Sequence, residues 1–200
     1  LNCAMSFQID EQGFEHQVSM PEVPKPEDIE PLQPLPKDEL AKLPVKLQRW
    51  LGIDSPFEFR KVWPRNELNP EKRPPYQHIW IRLTESVDDS PMLQRALLAY
   101  ASDFHLIGTS MLPHGISYLS HNVQMASLDH AMWFHRPFRV DEWLLYSFDS
   151  PTAQGARGLA RGMIFSRDGL LVASTAQEGR LEGRVPQEVL GGQAREVAHR

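Results

Sequence analysis

PMLQRALLAYASDFHLIGTSM, Pro91 to Met111, is the stretch whose spacing decides the fold. Leu93, Leu97, Tyr100 or Ala101, and Phe104 recur every three to four residues, the repeat of a helix with one buried face. The spacing predicts one long helix over the whole stretch. A second stripe, Ala96, Ala99 and Ile107, carries Asp103, and its alanines would let a neighbouring layer come close. A carboxylate on a close-packed stripe loses hydration and needs hydrogen-bond partners. Such a group is an anchor or a catalyst. An isolated Asp on an amphipathic helix is more often a cap or a paired surface charge, and the helix alone does not choose between them.

Downstream the period changes. After a Pro113-His114-Gly115 turn, Val123–Phe138, Glu142–Ser150, Gly158–Ser166 and Leu170–Leu181 read as four strands. Arg167-Asp168-Gly169 is a hairpin turn with glycine where positive φ is needed. Upstream, Ser55–Val62 and Gln77–Thr84 alternate well enough for two more strands. One helix with about six antiparallel strands is an α+β layout. An apolar helix wrapped by a curved antiparallel sheet is the hotdog arrangement.

The front of the chain reads differently. Twelve of its 17 prolines fall between Pro21 and Pro75, and proline fixes φ and removes a backbone donor. Residues 21–54 therefore read as an extended, acidic tether, with one short helix over Lys37–Leu51. Leu40, Leu43, Leu47, Trp50 and Leu51 supply that helix's apolar side, and Pro44 would kink it. Leu1–Gln8 (LNCAMSFQ) reads as a strand already under way. The expected organisation is a fragment: residues 1–20 the remnant of a first unit, 21–54 a linker, 55–182 a packed domain and 183–200 a loose tail.

Composition narrows the function classes. At 41% hydrophobic and 24% charged the chain is globular. A net charge of −5 argues against general nucleic-acid binding. Cys3 is the only cysteine, which excludes a disulfide framework or thiolate cluster. No apolar run approaches the roughly 18 residues of a membrane span. His121, His130 and His135 lie close together, but His130 and His135 are an odd number apart and face opposite sides of one strand. Neither an HxH pair nor HExxH occurs, so no metal is expected.

Several motifs also carry a family resemblance: YASDF (Tyr100–Phe104), LPHG (Leu112–Gly115), ASLDHAMWFHRPF (Ala126–Phe138), EWLLYSFDSP (Glu142–Pro151), GARGLARG (Gly155–Gly162) and RDGLLVASTAQEG (Arg167–Gly179). Together they resemble the C-terminal half of acyl-CoA thioesterase II, closely from Gln77 to Leu181. LNCAMSFQ and HQVSMPEVPKPE look like the end of that family's first hotdog and the start of its linker. The resemblance implies a truncated double hotdog that keeps the second, catalytic unit. It implies hydrolysis of fatty acyl-CoA to free acid and CoA, with CoA part of the substrate and no separate cofactor. The family's catalytic Asp, its Thr or Ser before LDH and its QEG glutamine fall on Asp103, Ser127 and Gln177. Further copies of the chain, joined through hotdog sheets, are the implied partners; an uncovered pairing surface would favour self-association.

The chemistry beside that resemblance is coherent. A carboxylate can hold and deprotonate a water that attacks the thioester carbon. A hydroxyl and an amide can fix the same water without adding charge. The oxyanion needs a donor, most simply a backbone N–H near Asp103. Read from the residues alone, Ser127 is a buried strand hydroxyl bonded to a neighbour and Gln177 an ordinary solvent-side strand residue. On Leu171–Gly179, alternation places Gln177 with Ala173 and Thr175 on a face of small side chains. Asp129 and His130 are adjacent, point opposite ways, and are expected in structural roles. Trp133 and Phe134 are expected in core and interface packing. Arg157 and Arg161 share a strand face and suit either CoA phosphates or open surface, so the CoA-binding residues stay unassigned.

Two other function classes stay open. A hotdog hydratase would need an Asp–His pair, and His105 points off the Asp103 face. A non-catalytic acyl-CoA binder would hold ligand and release no CoA. The C-terminal Ala198-His199-Arg200 is not a peroxisomal SKL signal, so a cytoplasmic location is expected, with the peroxisome as the alternative.

Overall fold

The computed structural model describes residues 2–9, 11–32, 35–43, 55–120 and 123–183, with positions 45, 48 and 51 between them. Among these residues, seven strands form a single antiparallel sheet. They are β1 (Phe57–Lys61), β2 (Tyr76–Leu83), β3 (Val123–Ser127), β4 (Ala131–Phe134), β5 (Leu144–Gln154), β6 (Arg157–Ser166) and β7 (Leu171–Gly183). The order across the sheet is β1-β2-β5-β6-β7-β3, with β4 also paired to β7. β3 takes the C-terminal half of β7 and β4 its N-terminal half, so the two lie end to end at the sheet edge. Short α1 (Lys37–Lys42) precedes the sheet, and α2 (Pro91–Ser102) packs on one face of it. This is the α+β layout the sequence predicts.

Both faces of the sheet are buried, because neighbouring residues on a strand point opposite ways. Ile79, Ile81, Leu144, Tyr146, Phe148 and Ile164 meet Leu98, Ala101 and Leu106 on the helix side. Trp80, Leu145 and Phe165 form a second cluster on the other face with Val62, Trp143 and Ile29. Each large apolar side chain buried in this way stabilises by roughly 1.5–3 kcal/mol. The proline-rich segment, expected as an extended tether between packed units, lies against that second face. Trp80 Nε1 donates to Pro24 O at 2.9 Å, Arg60 Nη1 donates to Pro26 O at 2.6 Å, and Arg167 grips Glu27 with both terminal nitrogens. Prolines cannot join a ladder, but their carbonyls still accept and their rings still pack.

Three expectations need correction. The predicted helix stops at Ser102, nine residues short of Met111: Asp103 is its C-cap, His105 takes a left-handed φ of 66°, and Ile107–His114 is a 3-10 stretch ending at Gly115. Its buried residues are Gln94, Leu98, Ala101 and Ser102, while Leu93, Tyr100, Ala96 and Ala99 are exposed. The helix is rotated because Gln94 serves two backbone groups at once: Nε2 donates to Asp88 O at 3.0 Å and Oε1 accepts from Val140 N at 2.8 Å. Val123–Phe138 is two strands, not one. Residues 2–9 form no strand, and Phe7 and Ile9 stand exposed. α1 begins where expected, but Pro44, Leu47 and Trp50 lie outside the described residues, as do His121 and the tail from 184. No helix among the described residues is long and apolar enough to cross a membrane.

Candidate active site

Along β7, Ala173, Thr175, Gln177 and Gly179 are buried and the residues between them only partly so, as alternation predicts. Gly179 lets the strand approach the segment after α2: a Cβ there would lie 2.3 Å from Ile107 Cγ1. Tyr146, on β5, ties the helix end to this face. Its hydroxyl donates to Ser102 O at 2.9 Å and meets Thr175 Oγ1 at 2.7 Å, and burial pushes its ionisation far up. Asp103 is thereby held over β7. Gln177, 0% exposed, donates through Nε2 to Asp103 Oδ1 at 2.6 Å.

Asp103 itself is exposed, which overturns the expected close-packed environment: its desolvation is modest, and its anchoring comes from one charge-assisted bond. Among the described residues this is its only side-chain hydrogen bond, so Oδ2 is free to accept. Gln177 Oε1 is buried with no partner, a deficit worth about 1–3 kcal/mol. Ser127 closes β3 directly opposite Gly179. Opposed residues project to one face, and diagonal neighbours lie about 7–8 Å apart along the backbone, so Ser127 shares the Gln177 face one diagonal step away. Its hydroxyl makes no hydrogen bond among the described residues. The structure joins Asp103 to Gln177 and sets Ser127 beside them without joining it.

The sequence reading missed His130. Leu128 N and Asp129 N both donate to Glu178 O, at 2.9 and 3.5 Å, and Glu178 N donates to Asp129 Oδ1 at 2.7 Å. Two residues therefore oppose one, which is a β-bulge. Ser127 pairs with Gly179 and Ala131 with Ala176, so the β3–β4 side spends one residue more than β7. In an uninterrupted strand Ser127 and His130 would face opposite ways; the bulge puts both on the Gln177 face. His130 Nδ1 lies 3.2 Å from Gln177 Nε2, and its Nε2 lies 2.8 Å from Ser102 Oγ. His130 is exposed overall, but partial desolvation of its imidazole pulls its pKa below the usual histidine value, opposed by the Asp103 and Asp129 carboxylates. Asp129, a poor strand former, was the available signal. Asp129 accepts from a backbone N–H, the structural role expected of it, while His130 bonds two side chains, Gln177 and Ser102.

The remaining candidates fall elsewhere. His135 bonds Ser174 Oγ at 2.9 Å on the opposite face. No group of three or more His, Cys, Asp or Glu among the described residues could hold a metal ion. Trp133 and Phe134 are exposed on the sheet edge, not in the core. Arg157 pairs with Glu178 at 2.7 Å, and Arg161 with Asp149. His105 sits edge-on to Phe59 at 5.2 Å, and burial, with the Lys61 charge, pushes it down to about 3. A cleft of about 300 Å³ opens between Lys61, Trp63, Arg65, Tyr76 and His78; none of Asp103, Ser127 and Gln177 lines it.

Comparison with known proteins gives a consistent answer. Residues 49–180 match the sequence model of the acyl-CoA thioesterase family. The chain is 41% identical over 174 residues to acyl-CoA thioesterase 2 of Haemophilus influenzae, covering 87% of this chain and 61% of that protein. It is similar to the crystal structure of an acyl-CoA thioesterase II from Mycobacterium marinum, with a TM-score of 0.66 and 37% identity over 88% of this chain and 60% of that one. A hotdog protein of unknown function from Alicyclobacillus acidocaldarius, 18% identical with a TM-score of 0.61, shares the fold. The chain spans about six-tenths of the length of these relatives.

Proposed function

We propose, from the fact that the chain belongs to the acyl-CoA thioesterase family, that it hydrolyses fatty acyl-CoA to free acid and CoA. The observation that carries this reading is the 2.6 Å bond from Gln177 Nε2 to Asp103 Oδ1. It fixes one carboxylate oxygen and leaves Oδ2 to take a proton from water. The hydroxide so formed bonds to the thioester carbon, and the carbonyl electrons move to oxygen. When the tetrahedral centre collapses, the C–S bond breaks and the thiolate recovers the proton from Asp103. Ser127, on the same face, supplies a neutral hydroxyl that orients the water. No covalent acyl-enzyme forms and no separate cofactor is needed. The names of the similar proteins support the substrate class.

The free edge formed by β3 and β4, with Trp133 and Phe134 exposed on it, is the surface we assign to a second hotdog unit or another copy of the chain. In that arrangement residues 1–20 belong to a first hotdog.

The test is CoA release across a ladder of acyl lengths, for wild type and Asp103→Asn. A single general base is worth on the order of 10²–10⁴ in rate, so the variant should lose at least the lower figure. Asp103 is exposed, so the variant should fold. Wild-type turnover in a folded Asp103→Asn would refute the mechanism. Loss of enoyl-CoA absorbance without CoA release would point to hydration, and tight binding without either to a non-catalytic binder.

A further inference from the structure

We propose that His130, as its neutral Nε2–H tautomer, is a positioning residue that, with Ser102, holds the Gln177 amide in the orientation Asp103 requires. The inference rests on the hydrolytic reading above. It follows from donor and acceptor inventory alone. An amide nitrogen only donates, so its approach of 3.2 Å to His130 Nδ1 makes that nitrogen the acceptor. The imidazole proton is then on Nε2 and is donated to Ser102 Oγ at 2.8 Å. Ser102 Oγ passes its own proton on to Ala99 O, also at 2.8 Å, one of the carbonyls that a helix end leaves without an intrahelical partner. Each proton in the series has one direction open to it.

The series fixes the amide plane. With one N–H on His130 and the other on Asp103, Gln177 cannot rotate without breaking both bonds. Rotation by half a turn would set Oε1 against the Asp103 carboxylate, oxygen facing oxygen. Protonation at Nδ1 would force that outcome, because N–H would face N–H. The groups acting on the imidazole charge are Asp103 after α2 and Asp129 on its own strand segment, both favouring protonation, against partial desolvation, which disfavours it. The site thus carries an acid-sensitive element distinct from the carboxylate that performs the chemistry.

The test uses two substitutions that split the imidazole in half. His130→Asn keeps an acceptor near the Nδ1 position. His130→Gln keeps a donor near the Nε2 position and loses the acceptor. Expected for His130→Gln is a kcat loss of ~10²-fold, the cost of misplacing a reacting group by about an ångström, with KM unchanged. Expected for His130→Asn, which keeps the acceptor and loses the bond to Ser102, is a smaller kcat loss than for His130→Gln and an acid limb from which one ionisation has disappeared. Equal losses in both variants, or a wild-type pH profile in His130→Asn, would overturn the proposal. Imidazole nitrogen NMR of the wild-type protein supplies an independent arm: an Nε2–H tautomer is expected, and an Nδ1–H tautomer would overturn it. If wild type releases no CoA from any acyl-CoA, the thioesterase reading fails, while the NMR result still decides the placement of the His130 proton.

Discussion

Removing the Tyr146 hydroxyl tests how the site is held. Tyr146 is fully buried, and its oxygen serves both Ser102 O at 2.9 Å and Thr175 Oγ1 at 2.7 Å. Tyr146→Phe keeps the ring, which packs on Phe148 with centroids 3.9 Å apart, so little packing is lost. A carbonyl and a hydroxyl are each left short of a partner, at about 1–3 kcal/mol for a buried polar group. Taking the two deficits as partly relieved by local shifts, the variant should lose about 2–4 kcal/mol. For a chain of this size that lowers Tm by roughly 4–16 °C. Adding Thr175→Val removes the stranded hydroxyl and should restore part of the loss, since replacing both partners costs less than orphaning one. Urea and thermal denaturation of the single and double variants read this out. A Tyr146→Phe protein melting within about 1 °C of wild type, or a double variant less stable by the full sum, would refute the anchoring role.

His105 is held neutral by burial at a pKa of about 3. Its folded value lies below its unfolded one, so stability is full above the ordinary histidine range and falls as pH drops toward 3, by on the order of 4 kcal/mol. His105→Asn, which tolerates the left-handed backbone, should flatten that decline in acid denaturation. Gly179→Ala should be destabilised by about 1–3 kcal/mol, because its Cβ would strike Ile107 Cγ1; an unchanged urea midpoint would contradict the close approach. Placing lysines at the exposed Trp133 and Phe134 should reduce association measured by light scattering without unfolding the chain.

Alternation placed Gln177 on one face with Ala173 and Thr175, because β7 is a regular strand, but its choice as a site residue came from the QEG resemblance. Asp103 and Ser127 rested on motif resemblance, since an exposed carboxylate after a helix and a hydroxyl at a strand end carry no distinguishing pattern of their own. The helix phase was misjudged because Leu93, Leu97 and Tyr100 look like a core stripe, whereas the burial is decided by Gln94 and the backbone of Asp88 and Val140. That is a tertiary demand and leaves no trace in spacing. His130 was hidden by a single extra residue: counting parity across Ser127–His130 assumes an unbroken strand, and the bulge reverses every later side chain.

The bulge also links the chemistry to the sheet edge. A straight, uninterrupted β3–β4 strand at that edge would present a continuous row of unpaired backbone groups and would turn His130 away from Gln177. With Leu128 and Asp129 sharing Glu178, the edge is broken between Ser127, which ends β3 opposite Gly179, and His130, which bonds Gln177. Any unit that adds to this edge must accommodate the break, so its docking and the geometry of the site are fixed by the same three residues. Deleting Leu128 to restore a regular register should therefore abolish CoA release and alter association together, whereas an effect on only one of them would separate the edge from the site.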